Sequence, residues 1–298
     1  NSTISAMAEF SLTCCGALLR GGLSHSLVTA SEAFWPEISA RFLHASAMTR
    51  FIRFSAGAFL TLAAIAIATP MKAEPPAPAS KAVLELFTSQ GCSSCPPADA
   101  LLAQLGKNPD LVTLSYAVDY WNYLGWHDTL SSSANSERQR DYARGRGDGK
   151  VYTPQLVVDG LTHVNGSNEA AIEMAMRSAA KRLADLRVAV NMHAEGDTLV
   201  VGIGAAPEKS DKRAATVWLA IAKKTATVAI TRGENRGRTL SYHHPVKELT
   251  PVGMWKGEPV TLRLPLKDLK AMGGDCLVAL LQVENAGPIL GAAEYDLL

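Results

Sequence analysis

The chain lacks a charge of one sign: 29 Lys and Arg face 28 Asp and Glu among 298 residues. No field is there to hold nucleic acid or an anionic lipid surface, which excludes those partners. It also lacks an apolar run of the roughly 20 residues that a membrane helix needs. Cysteine is scarce, with five in all, at 14, 15, 92, 95 and 276. No second Cys-x-x-Cys and no pair of histidines with three to five residues between them follows Cys92 and Cys95, so half of a zinc site stands there without its other half. No internal repeat is present. A hydrophobic share of 47 % is ordinary for a chain with a full core, and large-scale disorder is not expected.

The length predicts about two domains. From Met48 the sequence reads Met-Thr-Arg-Phe-Ile-Arg-Phe and then runs apolar from Ser55 to Ala68. Arginines before a short apolar stretch and small residues after it are the layout of a signal peptide. The alternative is an uncleaved anchor. The expected division is an upstream extension over 1–47, a signal peptide over 48–73 and a Pro-rich linker over 74–80. The 1–47 stretch also reads as a genuine N-terminal segment, with a short helix between Ala33 and Ala45. Cleavage leaves one close cysteine pair and Cys276, which lies in an apolar run and reads as a small buried residue. A periplasmic or secreted mature chain without a membrane span follows.

Residues 81–87 read as a buried strand and Pro96 to Leu105 as a helix. A second strand over 111–118, a long aromatic loop over 119–133 and a polar helix from Ala134 to Arg146 come next. Gln155 to Val158 is a strand, Asp159-Gly160 the strongest two-residue hairpin signal, and Leu161 to Val164 the partner strand. Ser167 then caps a helix from Glu169 to Leu186. These elements make one α/β unit over 81–186. Beyond it, over 187–298, several short strand-like runs with no long helix point to an all-β sandwich-like domain.

Chemistry concentrates in Gly91-Cys92-Ser93-Ser94-Cys95-Pro96. Two cysteines at this spacing close a disulfide when they open a helix. The helix N-terminus then favours a thiolate at Cys92, and Cys95 is placed to resolve a mixed disulfide. A structural staple is the second reading, although a four-residue loop stabilises by only about 2 kcal/mol against about 3 for fifteen residues. A metal site is the third. Glu85, alternating with Leu84 and Leu86, reads either as a buried acceptor for the Cys95 proton or as an exposed edge residue.

Cys92-Ser93-Ser94-Cys95, Thr153-Pro154 and the hairpin-then-helix ending resemble the thioredoxin-like superfamily. That resemblance implies an α/β thioredoxin-like domain followed by an all-β sandwich-like domain, with Pro154 cis and facing the disulfide and the Thr153 backbone exposed to a peptide. The chain departs from thioredoxin in a wider Cys-to-Pro spacing and in having no Trp before Cys92. More closely, Phe87 to Asp99, Val118-Asp119-Tyr120-Trp121, Val151 to Gln155 and Arg232 to Leu240 resemble bacterial secreted proteins catalogued as domain of unknown function 1223.

The expected function is exported thiol–disulfide exchange through Cys92, Cys95, Thr153, Pro154 and Glu85. Its partners are protein thiols or an exported protein, and it carries no cofactor beyond the disulfide. The alternatives are a binding or assembly protein with a static disulfide, and Cu(I) handling by Cys92 and Cys95, with His127 as a further ligand. Arg232 to Arg238 reads as a solvated hairpin with Glu234 as counter-charge. His243-His244 mark a weak second metal signal.

Overall fold

Strand β1 (Ala82–Thr88) is buried along its whole length, and its alternation organises its surroundings. Leu84 and Leu86 face Ala98 and Leu102 of α1 (Pro96–Leu105) and Ile172 and Ala179 of α3 (Glu169–Leu183). Val83 and Phe87 face the other way, toward Leu114 and Tyr116 of β2 (Leu111–Ala117) and Tyr142 of α2 (Ser133–Arg146). The structure, a computed structural model, describes residues 82–208 and 213–297. The expected extension 1–47, signal peptide 48–73 and linker 74–80 lie outside the described residues.

β1 pairs parallel with β2 and antiparallel with β3 (Gln155–Val158). The chain turns through Asp159 and Gly160, both at positive φ, into β4 (Thr162–Asn165). The sheet order is β2-β1-β3-β4. Local chemistry sets the helix ends. Pro96 and Pro97 open α1, and Ser132 caps α2 by accepting from Asn135 N–H. Asn168, one residue past the expected Ser167, caps α3 through Ala171 N–H.

The remaining strands are β5 (Val190–Glu195), β6 (Thr198–Ile203), β7 (Ala215–Ala222), β8 (Thr225–Ala229), β9 (Thr239–His243), β10 (Val246–Trp255), β11 (Val260–Pro265), β12 (Cys276–Val283) and β13 (Ile289–Asp296), with a short helix α4 (Leu266–Ala271). They form the sheets β10-β7-β12-β13, β11-β6-β5 and β8-β9. In the first of these the central strands β7 and β12 are largely buried on both faces. Val217, Leu219, Leu277 and Ala279 meet Leu199 and Val201 of β6, while Ala220, Val278 and Leu280 meet Val83, Phe87 and Leu114.

That layering corrects the expected fold class, an α/β thioredoxin-like domain followed by an all-β sandwich-like domain. The described residues carry thirteen strands in four small sheets against four α-helices, a mostly β arrangement without a clear thioredoxin α/β fold. The physical reason is shared burial: one face of the β2-β1-β3-β4 sheet is covered largely by another sheet, not by helices of its own segment. Element order along the chain carried no information about that covering face. Polar links tie the segments together as well. Asp159 accepts from Val83 N–H at 2.8 Å and pairs with Arg187 at 2.8 Å, and its carbonyl accepts from Ile289 N–H at 2.9 Å. Among the described residues no helix is long and apolar enough to cross a membrane.

Candidate functional site

Cys92 and Cys95 are joined as a disulfide, with Cα atoms 5.4 Å apart. The turn after β1 delivers them: Cys92 N–H donates to the Ser89 carbonyl at 3.1 Å, and Cys95 N–H to the Cys92 carbonyl at 3.2 Å. Helix α1 starts at Pro96, so the pair stands at a helix N-terminus. Direct N–H donation from that end is weak. Pro96 and Pro97 have no N–H, and Ala98 N–H is held by the Cys95 carbonyl at 2.9 Å. What remains for a Cys92 thiolate is the axial dipole and the Ser94 hydroxyl, 3.4 Å from Cys92 Sγ.

Cys92 is only 1 % exposed and Cys95 0 %, while Ser93 and Ser94 reach solvent. The turn between β8 and β9 is bonded to this loop. Asn235, itself buried, donates from Nδ2 to the Gln90 and Cys92 carbonyls at 2.9 Å each. Its Oδ1 accepts from Arg238 at 3.0 Å, and the Glu234 carboxylate accepts from Ser93 N–H at 3.2 Å. Gly233 has φ +73°, and a Cβ there would lie 3.1 Å from Trp126 Cβ, so the turn needs glycine on both counts. Arg232 to Arg238 is the exposed hairpin the sequence suggested, and through Glu234 and the buried Asn235 it also clasps the disulfide loop.

Asp99 stands one helical turn after Cys95 on the same face of α1, with its N–H on the Cys95 carbonyl at 3.1 Å. Neither carboxyl oxygen has a hydrogen-bond partner among the described residues. The buried Thr88 and Tyr242 hydroxyls are likewise unpartnered. Burial raises Asp99 to about 7; the nearby Thr88 hydroxyl pulls it back, and the Asp128 carboxylate adds to the rise. Burial also raises Asp128, which accepts from Gln90 N–H at 2.7 Å and Leu130 N–H at 2.8 Å.

Thr153-Pro154 is a cis peptide bond. Trp121 connects it to the disulfide loop. Its Nε1 donates to Thr153 Oγ1 at 2.8 Å, and its Cβ packs so close to Gly91 that a Cβ at 91 would sit 3.1 Å away. Trp126 Nε1 donates to Gln90 Oε1 at 2.8 Å. The aromatics of the 119–133 loop thus brace the cysteine turn. His127 is exposed, and both sulfurs it was to join in Cu(I) handling are held in the disulfide.

Glu85 is the exception among the expected site residues. It is buried, on the face of β1 opposite the one that packs on α1, and its carboxylate is held by Arg138 at 2.7 Å and by the Tyr142 hydroxyl. Strand alternation turns it away from Cys95, so the expectation that it takes the Cys95 proton is corrected. Asp99, four residues after Cys95 on α1, is the buried carboxyl of that segment. Sequence reasoning missed Asp99, Gln90, Asp128 and Asn235. For Asp99 the only local signal was its offset of four from Cys95; the others act through long-range contacts.

No curated protein matches the chain. A crystal structure of a protein from Agrobacterium tumefaciens is 38 % identical over 74 % of this chain and 96 % of that one, with a TM-score of 0.66. HBP35 of Porphyromonas gingivalis shares the fold at 12 % identity, covering 74 % of this chain and 76 % of that one, with a TM-score of 0.50. Residues 83–282 match the family described as Protein of unknown function (DUF1223), and the chain belongs to that family.

Proposed function

We propose that the chain is an exported thiol–disulfide exchange protein in which Cys92 is attacked, Cys95 leaves and Asp99 handles the proton. The observation that carries this reading is Asp99. A buried carboxyl with little beyond the nearby Thr88 hydroxyl to satisfy it costs stability and gives a purely structural disulfide nothing in return. An ionisable group near pH 7 one helical turn after the resolving cysteine serves an exchange reaction.

In the step, a substrate thiolate attacks Cys92 Sγ and forms a mixed disulfide as the Cys92–Cys95 bond breaks. Cys95 departs as a thiolate and takes the Asp99 proton. A second substrate thiolate then attacks the substrate sulfur of the mixed disulfide and releases Cys92 as a thiolate. Two electrons pass from the substrate dithiol to the protein, and the reverse sequence oxidises a substrate. Glu234 and Asn235 bond to the backbone of the Gln90–Ser93 turn, so a substrate that reaches Cys92 does so beside this clasp. Export is supported by the Met48 leader and by a disulfide of a kind that persists in oxidising compartments.

A second reading, a binding protein with a static disulfide, is favoured by the burial of both cysteines. Trapping separates the two. With Cys95→Ala, a thiol-reactive peptide disulfide should accumulate on Cys92 as a stable mixed disulfide. A Cys92 that stays unmodified under native conditions supports the static reading.

A further inference from the structure

Away from the disulfide, three metal-ligating side chains from separate segments converge. His244 stands in the turn between β9 and β10, Cys276 opens β12 and Glu294 lies on β13. Their ligand atoms all lie within 4.8 Å of one another. Glu294 Oε1 is 3.2 Å from Cys276 Sγ and 3.5 Å from His244 Nε2. The sheet register builds half of this. Val278 pairs with Glu294, so Cys276, two residues earlier, shares a face with Glu294.

The other half is the fixed histidine ring. His244 takes φ +43°, its N–H donates to the Lys224 carbonyl at 3.2 Å, and its carbonyl accepts from Ser115 N–H at 3.0 Å. Its Nδ1 faces the Thr113 carbonyl at 3.0 Å. A carbonyl only accepts, so Nδ1 carries a proton and Nε2 is the ring atom that faces the Glu294 oxygen, the atom a metal ion would take. The carbonyl behind the ring is the kind of outer partner that orients metal-binding histidines.

We propose that His244, Cys276 and Glu294 bind one Zn2+, or a like borderline divalent ion, with a fourth position open to water. Zinc takes sulfur at about 2.3 Å and nitrogen or oxygen at about 2.0–2.2 Å, so the edges of its tetrahedron are about 3.5 Å. The two measured edges fit that frame with little movement. His244 and Cys276 are buried and Glu294 is exposed, which leaves the open position on the solvent side. The ion would clip the turn held to β2 onto the β12–β13 edge. Binding displaces the Cys276 thiol proton as the metal–sulfur bond forms.

The test uses the full chain with Cys92–Cys95 oxidised and Cys14 and Cys15 changed to Ser, so that Cys276 is the one free thiol. Cobalt should give a thiolate-to-metal charge-transfer band at one ion per chain, and zinc should abolish it. Glu294→Gln, an exposed change that keeps the fold, should weaken zinc by roughly 10–100-fold, at least what loss of an outer-shell partner costs. His244→Asn, which tolerates the positive φ, should do the same, and Cys276→Ala should lose the band. Zinc should also raise the thermal midpoint of the unchanged site and not that of Glu294→Gln. No charge-transfer band, a band that survives Cys276→Ala, or equal zinc affinity in Glu294→Gln would overturn the proposal.

Discussion

Asn235 Nδ2 lies 2.9 Å from the Cys92 carbonyl oxygen, although 143 residues separate the two in sequence. The same nitrogen reaches the Gln90 carbonyl. One buried amide thus fixes the backbone on both sides of Gly91 and holds the clasp shut. Asn235→Ala removes a donor from both carbonyls, leaving the Cys92 carbonyl with the Cys95 N–H alone. The expected cost is about 1–3 kcal/mol, the range for losing hydrogen bonds to buried acceptors, read from denaturant midpoints. The disulfide should also be reduced faster by a small dithiol at fixed concentration. An unchanged reduction rate in a destabilised variant would show that the clasp stabilises without gating.

Asp99 makes stability depend on pH in a defined direction. Its folded value of about 7 lies above the ordinary carboxyl value of 3.8, so the folded state holds a proton that the unfolded chain has released. Stability is full below about pH 4, falls as pH rises and levels off above about pH 7. Three units correspond to a loss on the order of 4 kcal/mol. Asp99→Asn should flatten this slope and be the more stable protein at pH 8. Unfolding midpoints across pH 4–8 check it; parallel curves for the two proteins would remove Asp99 from the argument.

Glu85 and Arg138 form a buried pair whose role is structural. Arg138→Met leaves the Glu85 carboxylate unpaired and should cost about 3–5 kcal/mol. The double variant Glu85→Leu, Arg138→Met should be less destabilised than Arg138→Met alone, since it removes the stranded charge. Denaturant unfolding of the three proteins measures this. Glu85→Gln should leave the pH profile of exchange unchanged, whereas Asp99→Asn should alter it.

The parts of the fold legible in the sequence were those written locally. Pro96-Pro97, the leucines behind them and Gly106 bound α1, and Asp159-Gly160 marks the β3–β4 turn. Strand β10 escaped because Pro251 and Gly253 interrupt its pattern; the structure places them at an irregularity on a sheet edge, where a missing N–H is tolerated. Strand β13 carries Gly291, Ala292 and Ala293 at its centre and has no strong period. The cysteine pair was visible as a motif, but its clasp and its buried acid were not. Asn235 and Glu85 each act through a partner more than fifty residues away, and no local pattern encodes which face such a partner occupies.

Disulfide exchange by Cys92 and Cys95 is tested most directly by the reduction potential of that pair in the full chain, taken in redox buffers at pH 7. A working exchange couple should lie within the span of known exchange proteins, between about −120 and −270 mV, and shift when Asp99 is changed to Asn. A potential below about −300 mV that is indifferent to Asp99→Asn would mark the disulfide as a static brace and contradict the exchange reading.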